Sequence, residues 1–492
     1  MSSLIVRRAR RVPLDAPPGQ PGQPVEELVD VVIEHGVISA VVPAGLGTTA
    51  APAEIVDADG RWLLPGLWDQ HVHLGQWAGV PSRLDLSAAR SVPEVLARVA
   101  EAARAGRAVV GQGMRAGMWT RRGTVAELDS VSGQVPVVLV NADFHHAWLN
   151  SVALRGLDLA PREGVVSENE WYGAYSRLDR IVPAPTVADH RAALLAAAAK
   201  GVVGLVDLEV GTTASEWVER WHQGCDLLRV RWGVYADGLA DLGPLRTGDP
   251  LPEADPRLTM GPLKIISDGS LGTRTAWCCE PYADTNSFGA PNQSEDELRA
   301  LLSEGHVRGL EVATHAIGDL ALASALAAYE ATGARGSIEH AQLVRREDVP
   351  RLARLGLRAS VQPAHLLDDR DLAERVWPGR AERCYAFRWM LEEGVELALG
   401  SDAPVAPLDP WLAIAAAVHR GADAGEPWTP TQALTPREAL AASVDGRRIA
   451  VGEPGDLVLV DRDPLAATAE ELRTMPVALT VVAGQVVHRL AL

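Results

Sequence analysis

The amino-acid sequence predicts an α/β protein built on a closed (β/α)8 barrel, with a large insertion after the first barrel strand and β-rich segments at both ends. Two observations carry this. Eight short apolar runs (Leu67–His73, Gly201–Leu208, Leu228–Tyr235, Leu263–Asp268, Val312–His315, Ser337–His340, Arg358–Gln362 and Glu396–Asp402) are mostly separated by Ala/Leu/Arg/Glu segments of helical spacing. That is the pattern of repeated βα units around a parallel sheet. The terminal segments differ in texture, alternating apolar and polar positions in short pieces as hairpins do.

In chain order, a Pro/Gly-rich stretch from Pro13 to Pro24 reads as a loop. Val29 to Val42 then forms a hairpin pattern turning at His35-Gly36. The distance from the first apolar run to the second is too long for one helix, so residues from about 75 to 195 are expected to form the insertion. Helices are predicted at Glu295–Gly305, Leu320–Thr332, Arg346–Gly356 and Phe387–Gly394, several ending at a glycine as helix C-caps do. The tail returns to strand texture in Gly455–Asp461 and Val477–His488.

Composition narrows the class of function. With 492 residues, 47% hydrophobic and 22% charged, the chain is neither disordered nor a disulfide framework. Its 46 basic against 64 acidic residues give a net charge of −18, which speaks against nucleic acid as a partner. Four cysteines, two of them the adjacent Cys278 and Cys279, fit a reducing compartment. No apolar run of signal-peptide or membrane-span length is present, so a cytoplasmic protein with no membrane partner is expected. Only two of the basic residues are lysine, Lys200 and Lys264. A lysine kept inside the apolar run around Lys264 reads either as a required amine or as chance retention.

His71, His73, Lys264, His315, His340 and Asp402 each lie in or at the end of a predicted strand. Active sites of such barrels lie at the C-terminal ends of the strands, so these residues converge on one mouth. Residues two apart in a strand share a face, and His71 and His73 can therefore chelate one ion; otherwise they are two polar side chains at a strand end. His35, His190, His222, His306, His419 and His488 lie off the strand ends and are assigned no role.

Several segments resemble the amidohydrolase superfamily, and within it the YtcJ-like branch that includes N-substituted formamide deformylase. They are Pro65-Gly-Leu-Trp-Asp-Gln-His-Val-His73, Lys264 in Lys-Ile-Ile-Ser-Asp-Gly-Ser-Leu-Gly-Thr-Arg-Thr-Ala276, His315-Ala-Ile-Gly-Asp319, Ile338-Glu-His-Ala-Gln342, Gln362-Pro-Ala-His365 and Gly400-Ser-Asp-Ala-Pro-Val405. The resemblance covers nearly the whole chain and implies a TIM-like barrel over residues 63–449 and a composite β-sandwich from residues 1–62 and 450–492. It further implies two divalent ions, zinc first with manganese or iron as alternatives, and a CO2-derived carbamate on Lys264 bridging them. His71 and His73 would hold one ion and His315 and His340 the other, with Asp402 near the first. The ions would lower the pKa of a bridging water for attack on a carbonyl, and Asp402 would carry its proton to the leaving nitrogen.

Within the same resemblance, His146 (with Asn150) and His365 are expected to bind substrate, and Trp77, Trp119, Trp148 and Trp171 offer walls for a cleft of which no more than about two touch it. Asp268 and Asp319 are expected to hold neighbouring groups rather than react. The implied activity is hydrolysis of a C–N bond other than a peptide bond, in an amide, an N-substituted formamide or a cyclic amide. Deamination or ester and lactone hydrolysis on the same scaffold is the alternative, and Lys264 argues against deamination. A metal-free binding protein is a further alternative, weakened because every ligand position is kept. The expected partner is a small-molecule substrate, with a homodimer as the default assembly.

Overall fold

The computed structural model describes residues 3–14, 27–49, 52–421 and 426–490. Residues 15–24 of the Pro/Gly-rich stretch therefore lie outside the described residues. The N-terminal segment forms β1 (Ser3–Arg11), β2 (Val29–Glu34), β3 (Val37–Pro43), β4 (Ala53–Asp57) and β5 (Trp62–Pro65), and the barrel opens with β6 (Leu67–Val72). An inserted sheet follows, of β7 (Leu84–Asp85), β8 (Val109–Met114), β9 (Val137–Asn141), β10 (His146–Leu149) and β11 (Val166–Ser167). The barrel resumes with β12 (Val202–Asp207), β13 (Arg229–Val234), β14 (Leu258–Ile266), β15 (Val312–Ala316), β16 (Gly336–His340), β17 (Arg358–Val361) and β18 (Leu397–Leu399). The tail adds β19 (Leu457–Val460), β20 (Val477–Val482) and β21 (Gln485–Arg489).

The barrel strands pair in the order β6, β12, β13, β14, β15, β16, β17, β18, parallel throughout. Near-continuous apolar runs suit strands covered on both faces. Closure between the last strand and the first is made at their C-terminal ends. Val72 bridges Ala403, His73 N–H donates to Ala403 O at 2.9 Å, and Asp402 N–H donates to His71 O at 2.7 Å. Asp69, itself buried, clamps the same seam: its Oδ1 accepts from the backbone N–H of His71 at 3.1 Å and of Ser401 at 2.9 Å.

The chain's two ends share one sheet. β5 pairs antiparallel with β19, Leu64 opposite Val458, and Leu4, Val6, Ile33, Leu459 and Val481 pack in its core. The β2–β3 hairpin turns at His35 (φ 54°) and Gly36 (φ 79°), the pair of left-handed residues that a tight hairpin needs. The inserted sheet has its own apolar clusters, one around Val138, Leu149 and Trp171 and one around Val95, Leu128 and Leu139. The helix Val187–Ala198, which straddles the end of the range expected for the insertion, packs Leu194 and Ala197 into the barrel core. Among the described residues no helix is long and apolar enough to cross a membrane.

All eight predicted barrel runs are strands, and the differences lie at their edges. β14 begins at Leu258, opposite Val230, because a register shift beside Trp232 lets the strand carry Pro262 without losing its pairing. The helix expected to stop at Gly305 runs over Glu295–Arg308 and ends at Gly309 (φ 75°). Gly305 is small for packing, since a Cβ there would meet Val312 Cγ2 at 2.8 Å.

The closure predicts a specific cost. Asp69→Ala leaves two buried backbone N–H groups without an acceptor and should destabilise the protein by about 2–4 kcal/mol, whereas Asp69→Asn retains an acceptor oxygen and should lose less. Urea denaturation of both variants checks this, and an unchanged midpoint for Asp69→Ala would contradict it.

Candidate active site

At the C-terminal mouth of the barrel, His71, His73, Lys264, His315, His340 and Asp402 line one chamber. β6 presents His71 on the axis with His73 just beyond its end, their rings 5.4 Å apart. Lys264 rises from β14, with Nζ 3.3 Å from His71 Nε2. The His315 and His340 rings, from β15 and β16, are 4.6 Å apart. Asp402 closes the ring, its Oδ1 3.2 Å from His73 Nε2 and 3.5 Å from His71 Nε2. His340 (φ 69°) and Asp402 (φ 56°) both adopt left-handed backbone, a conformation that costs a non-glycine residue about 1–3 kcal/mol and is found where function fixes a side chain.

These side chains are held from behind. His71 Nδ1 lies 2.8 Å from Glu339 Oε2 and 3.3 Å from Gln362 Nε2, so its other nitrogen faces Lys264 and Asp402. His315 Nδ1 lies 3.0 Å from Asp268 Oδ1, and Asp268 is fixed by the backbone N–H groups of Trp277, Ile317 and Gly318. Asp268 thus positions a neighbour. Asp319 does so too, accepting from Cys279 N–H at 2.8 Å and pairing with Arg383.

Burial sets the charge states. It pushes His71 down to about 4, with the Lys264 charge adding to the effect, and drives His340 well below the usual imidazole range, with His315 adding. His315 is lowered for the same reason. These rings are neutral at neutral pH, the form that coordinates metal. Burial also lowers Lys264, against the pull of Glu339 and Asp402, and so favours a free amine. Burial opposes ionisation of Asp402, but the surrounding imidazoles outweigh it and hold the carboxyl well below its ordinary value.

The donor set fits divalent metal. Ligand atoms of His71, His340 and Asp402 lie within 4.8 Å of one another. Among the described residues, His73 Nδ1, His315 Nε2 and His340 Nδ1 are buried without a hydrogen-bond partner. Imidazole nitrogens with a carboxylate are ligands of zinc first, and of manganese or iron.

A second chamber adjoins the first, and Asp143, His145, His340, Asp402 and Val405 line both. His365 lines it, with Nε2 3.8 Å from Asp402 Oδ2. His146 lines neither chamber, and its Nδ1 is 3.9 Å from Asp143 Oδ1. The ring at the junction is that of the preceding residue, His145. Its Nδ1 lies 3.0 Å from Glu168 Oε2 and 2.8 Å from the Tyr172 hydroxyl, while Glu168 Oε1 accepts from Thr275 Oγ1 at 2.7 Å. Burial would lower His145, but the Glu168 carboxylate outweighs it and raises the ring to about 9. Asn150 caps the helix Ser151–Gly156 by accepting from Ala153 N–H at 2.9 Å. Of the four insertion tryptophans, Trp171 lines the first chamber and the other three pack elsewhere.

Reasoning from sequence missed His145, Glu168, Tyr172 and Glu339. Glu339 adjoins His340 in Ile338-Glu-His-Ala-Gln342, and a carboxylate beside a histidine is the signal available there. The side chain that an irregular segment turns inward, His145 rather than His146, had none.

Comparison with known proteins agrees with this architecture. The chain is 28% identical over 488 residues to the protein YtcJ of Bacillus subtilis, spanning 88% of this chain and 90% of the relative. It is 27% identical over 495 residues to the N-substituted formamide deformylase of Arthrobacter pascens, spanning 89% and 90%. An uncharacterised metal-dependent hydrolase from Pyrococcus horikoshii OT3 superposes with a TM-score of 0.78 at 28% identity, covering 95% of this chain and 99% of that one. Residues 54–488 match the amidohydrolase family, and the chain belongs to that family.

Proposed function

We propose that the protein is a metal-dependent hydrolase of a C–N bond other than a peptide bond, acting on an amide, an N-substituted formamide or a cyclic amide. The observation that carries this reading is the placement of Lys264, 3% exposed, its Nζ 3.3 Å from His71 Nε2, in the chamber lined by His73, His315, His340 and Asp402. An ammonium among metal-ligating imidazoles would repel the ion they hold, whereas a neutral amine that has added CO2 becomes an anionic oxygen ligand. His71 with His73 and His315 with His340 would hold two divalent ions, zinc first, with a carbamate on Lys264 as a further ligand and Asp402 beside the first pair. Bound ions supply Lewis acidity, polarising a carbonyl and making water nucleophilic near neutral pH. The full-length similarity to a formamide deformylase supports the amide class.

The protein's own residues then have distinct tasks. Glu339 holds the His71 ring through Nδ1, which leaves Nε2 free to ligate an ion on the side of Lys264 and Asp402. Asp402 takes the proton of the attacking water and returns it to the leaving nitrogen, which must be protonated to depart. Its Oδ2 faces His365, placed to contact substrate from the second chamber. His145 replaces His146 as the substrate contact from the insertion, because His145 lines both chambers.

Lys264→Arg should abolish turnover and reduce bound metal although a basic residue type is kept, because guanidinium cannot form a carbamate. Metal analysis with kcat on one amide checks this, and retained activity would contradict it. Asp402→Asn should keep most of the metal while kcat falls by about 10²–10⁴-fold, with a smaller loss on an activated ester whose leaving group departs unprotonated. Equal losses on both substrates together with loss of metal would make Asp402 a ligand and no more.

A further inference from the structure

The two chambers are built from different surfaces. Beyond the histidine cluster, the first is walled by Phe144, Trp171, Tyr172, Tyr175 and Val210. The second is walled by Met118, Leu271, Ile317, Leu372 and Ala406. They meet at a waist formed by Asp143, His145, His340, Asp402 and Val405, which line both. Asp402, the residue assigned to proton transfer, and His340, assigned to metal, thus sit where a molecule would pass from one chamber to the other. The waist is fixed rather than loose: Glu168 and Tyr172 hold the His145 ring, Glu168 is tied to Thr275, and Ser270 Oγ donates to Asp143 Oδ2 at 2.8 Å.

From this we infer that the substrate carries a substituent on each side of the scissile C–N bond, one group in the aromatic chamber and one in the aliphatic chamber, with the amide at the waist. The inference rests on the hydrolase reading above and narrows it. A formamide presents only hydrogen on its acyl side, so one of the two apolar walls would gain no contact from it. Apolar contact strengthens binding in proportion to the area removed from water, and a molecule filling both chambers gains from both.

The test uses two isomers that differ only in where the amide stands: N-benzylhexanamide, with a group on each side, and N-(6-phenylhexyl)formamide, with the whole apolar chain on nitrogen. On the zinc-loaded enzyme kcat/KM should favour N-benzylhexanamide by about tenfold or more, within the range by which apolar pockets discriminate. Val210→Trp and Leu372→Trp, each filling one chamber, should each shrink that preference. Equal or reversed kcat/KM values, or a preference unmoved by both variants, would overturn the inference while leaving C–N hydrolysis standing. If neither isomer is hydrolysed, the hydrolytic reading fails, and the dissociation constants of the same two compounds on the zinc-loaded protein decide the two-chamber inference. Binding of N-benzylhexanamide about tenfold tighter than its isomer upholds it, and equal binding overturns it.

Discussion

Closure of the barrel between β6 and β18 is the constraint on which the rest of the site depends. A parallel sheet of eight strands has two free edges until its first and last strands meet. Here they meet at the C-terminal end, through Val72 and Ala403 and through the Asp69 carboxylate shared by the backbones of His71 and Ser401. That seam brings His71 and His73, early in the chain, beside Asp402, more than three hundred residues later. The left-handed backbone at Asp402 follows from it, since the residue must pair with β6 through its N–H and still aim its carboxylate at the axis.

Burial does the electrostatic work. A cluster of imidazoles in water would titrate near pH 6.5. Enclosed at the barrel mouth, His71, His315 and His340 are held neutral, Lys264 is biased toward its amine, and Asp402 stays ionised with the His73 ring hydrogen-bonded to it. Each of these states is the one metal coordination requires. The insertion contributes differently: it supplies the aromatic wall and delivers His145 to the junction, and the Glu168–Thr275 bond ties that delivery to the loop after β14.

The fold and the histidine cluster were legible in the sequence because both are periodic. Strands repeat with βα spacing, and a polar residue at the end of an apolar run has one place to go in a closed barrel. His71 with His73, Lys264, His315, His340 and Asp402 were each marked by that position. What was illegible depended on geometry that the period does not specify. The irregular segment before β10 turns His145 inward and not His146, and the contact between Glu339 and His71 crosses from β16 to β6. The stop of the helix at Gly309 rather than Gly305 was hidden for a related reason, since one glycine caps by its left-handed backbone and the other only makes room for Val312. The two apolar walls were scattered over the insertion and the strand-end loops, and only folding assembles them.

Under the proposed function, Lys264 is a metal ligand through a carbamate. A crystal structure of the zinc-loaded protein, grown without chelators and in the presence of bicarbonate, tests it directly. Forked density is expected beyond Lys264 Nζ, its oxygens about 2.0–2.2 Å from two ions, one beside His71 and His73 and the other beside His315 and His340. A bare ammonium at Lys264 with both ions present would contradict it.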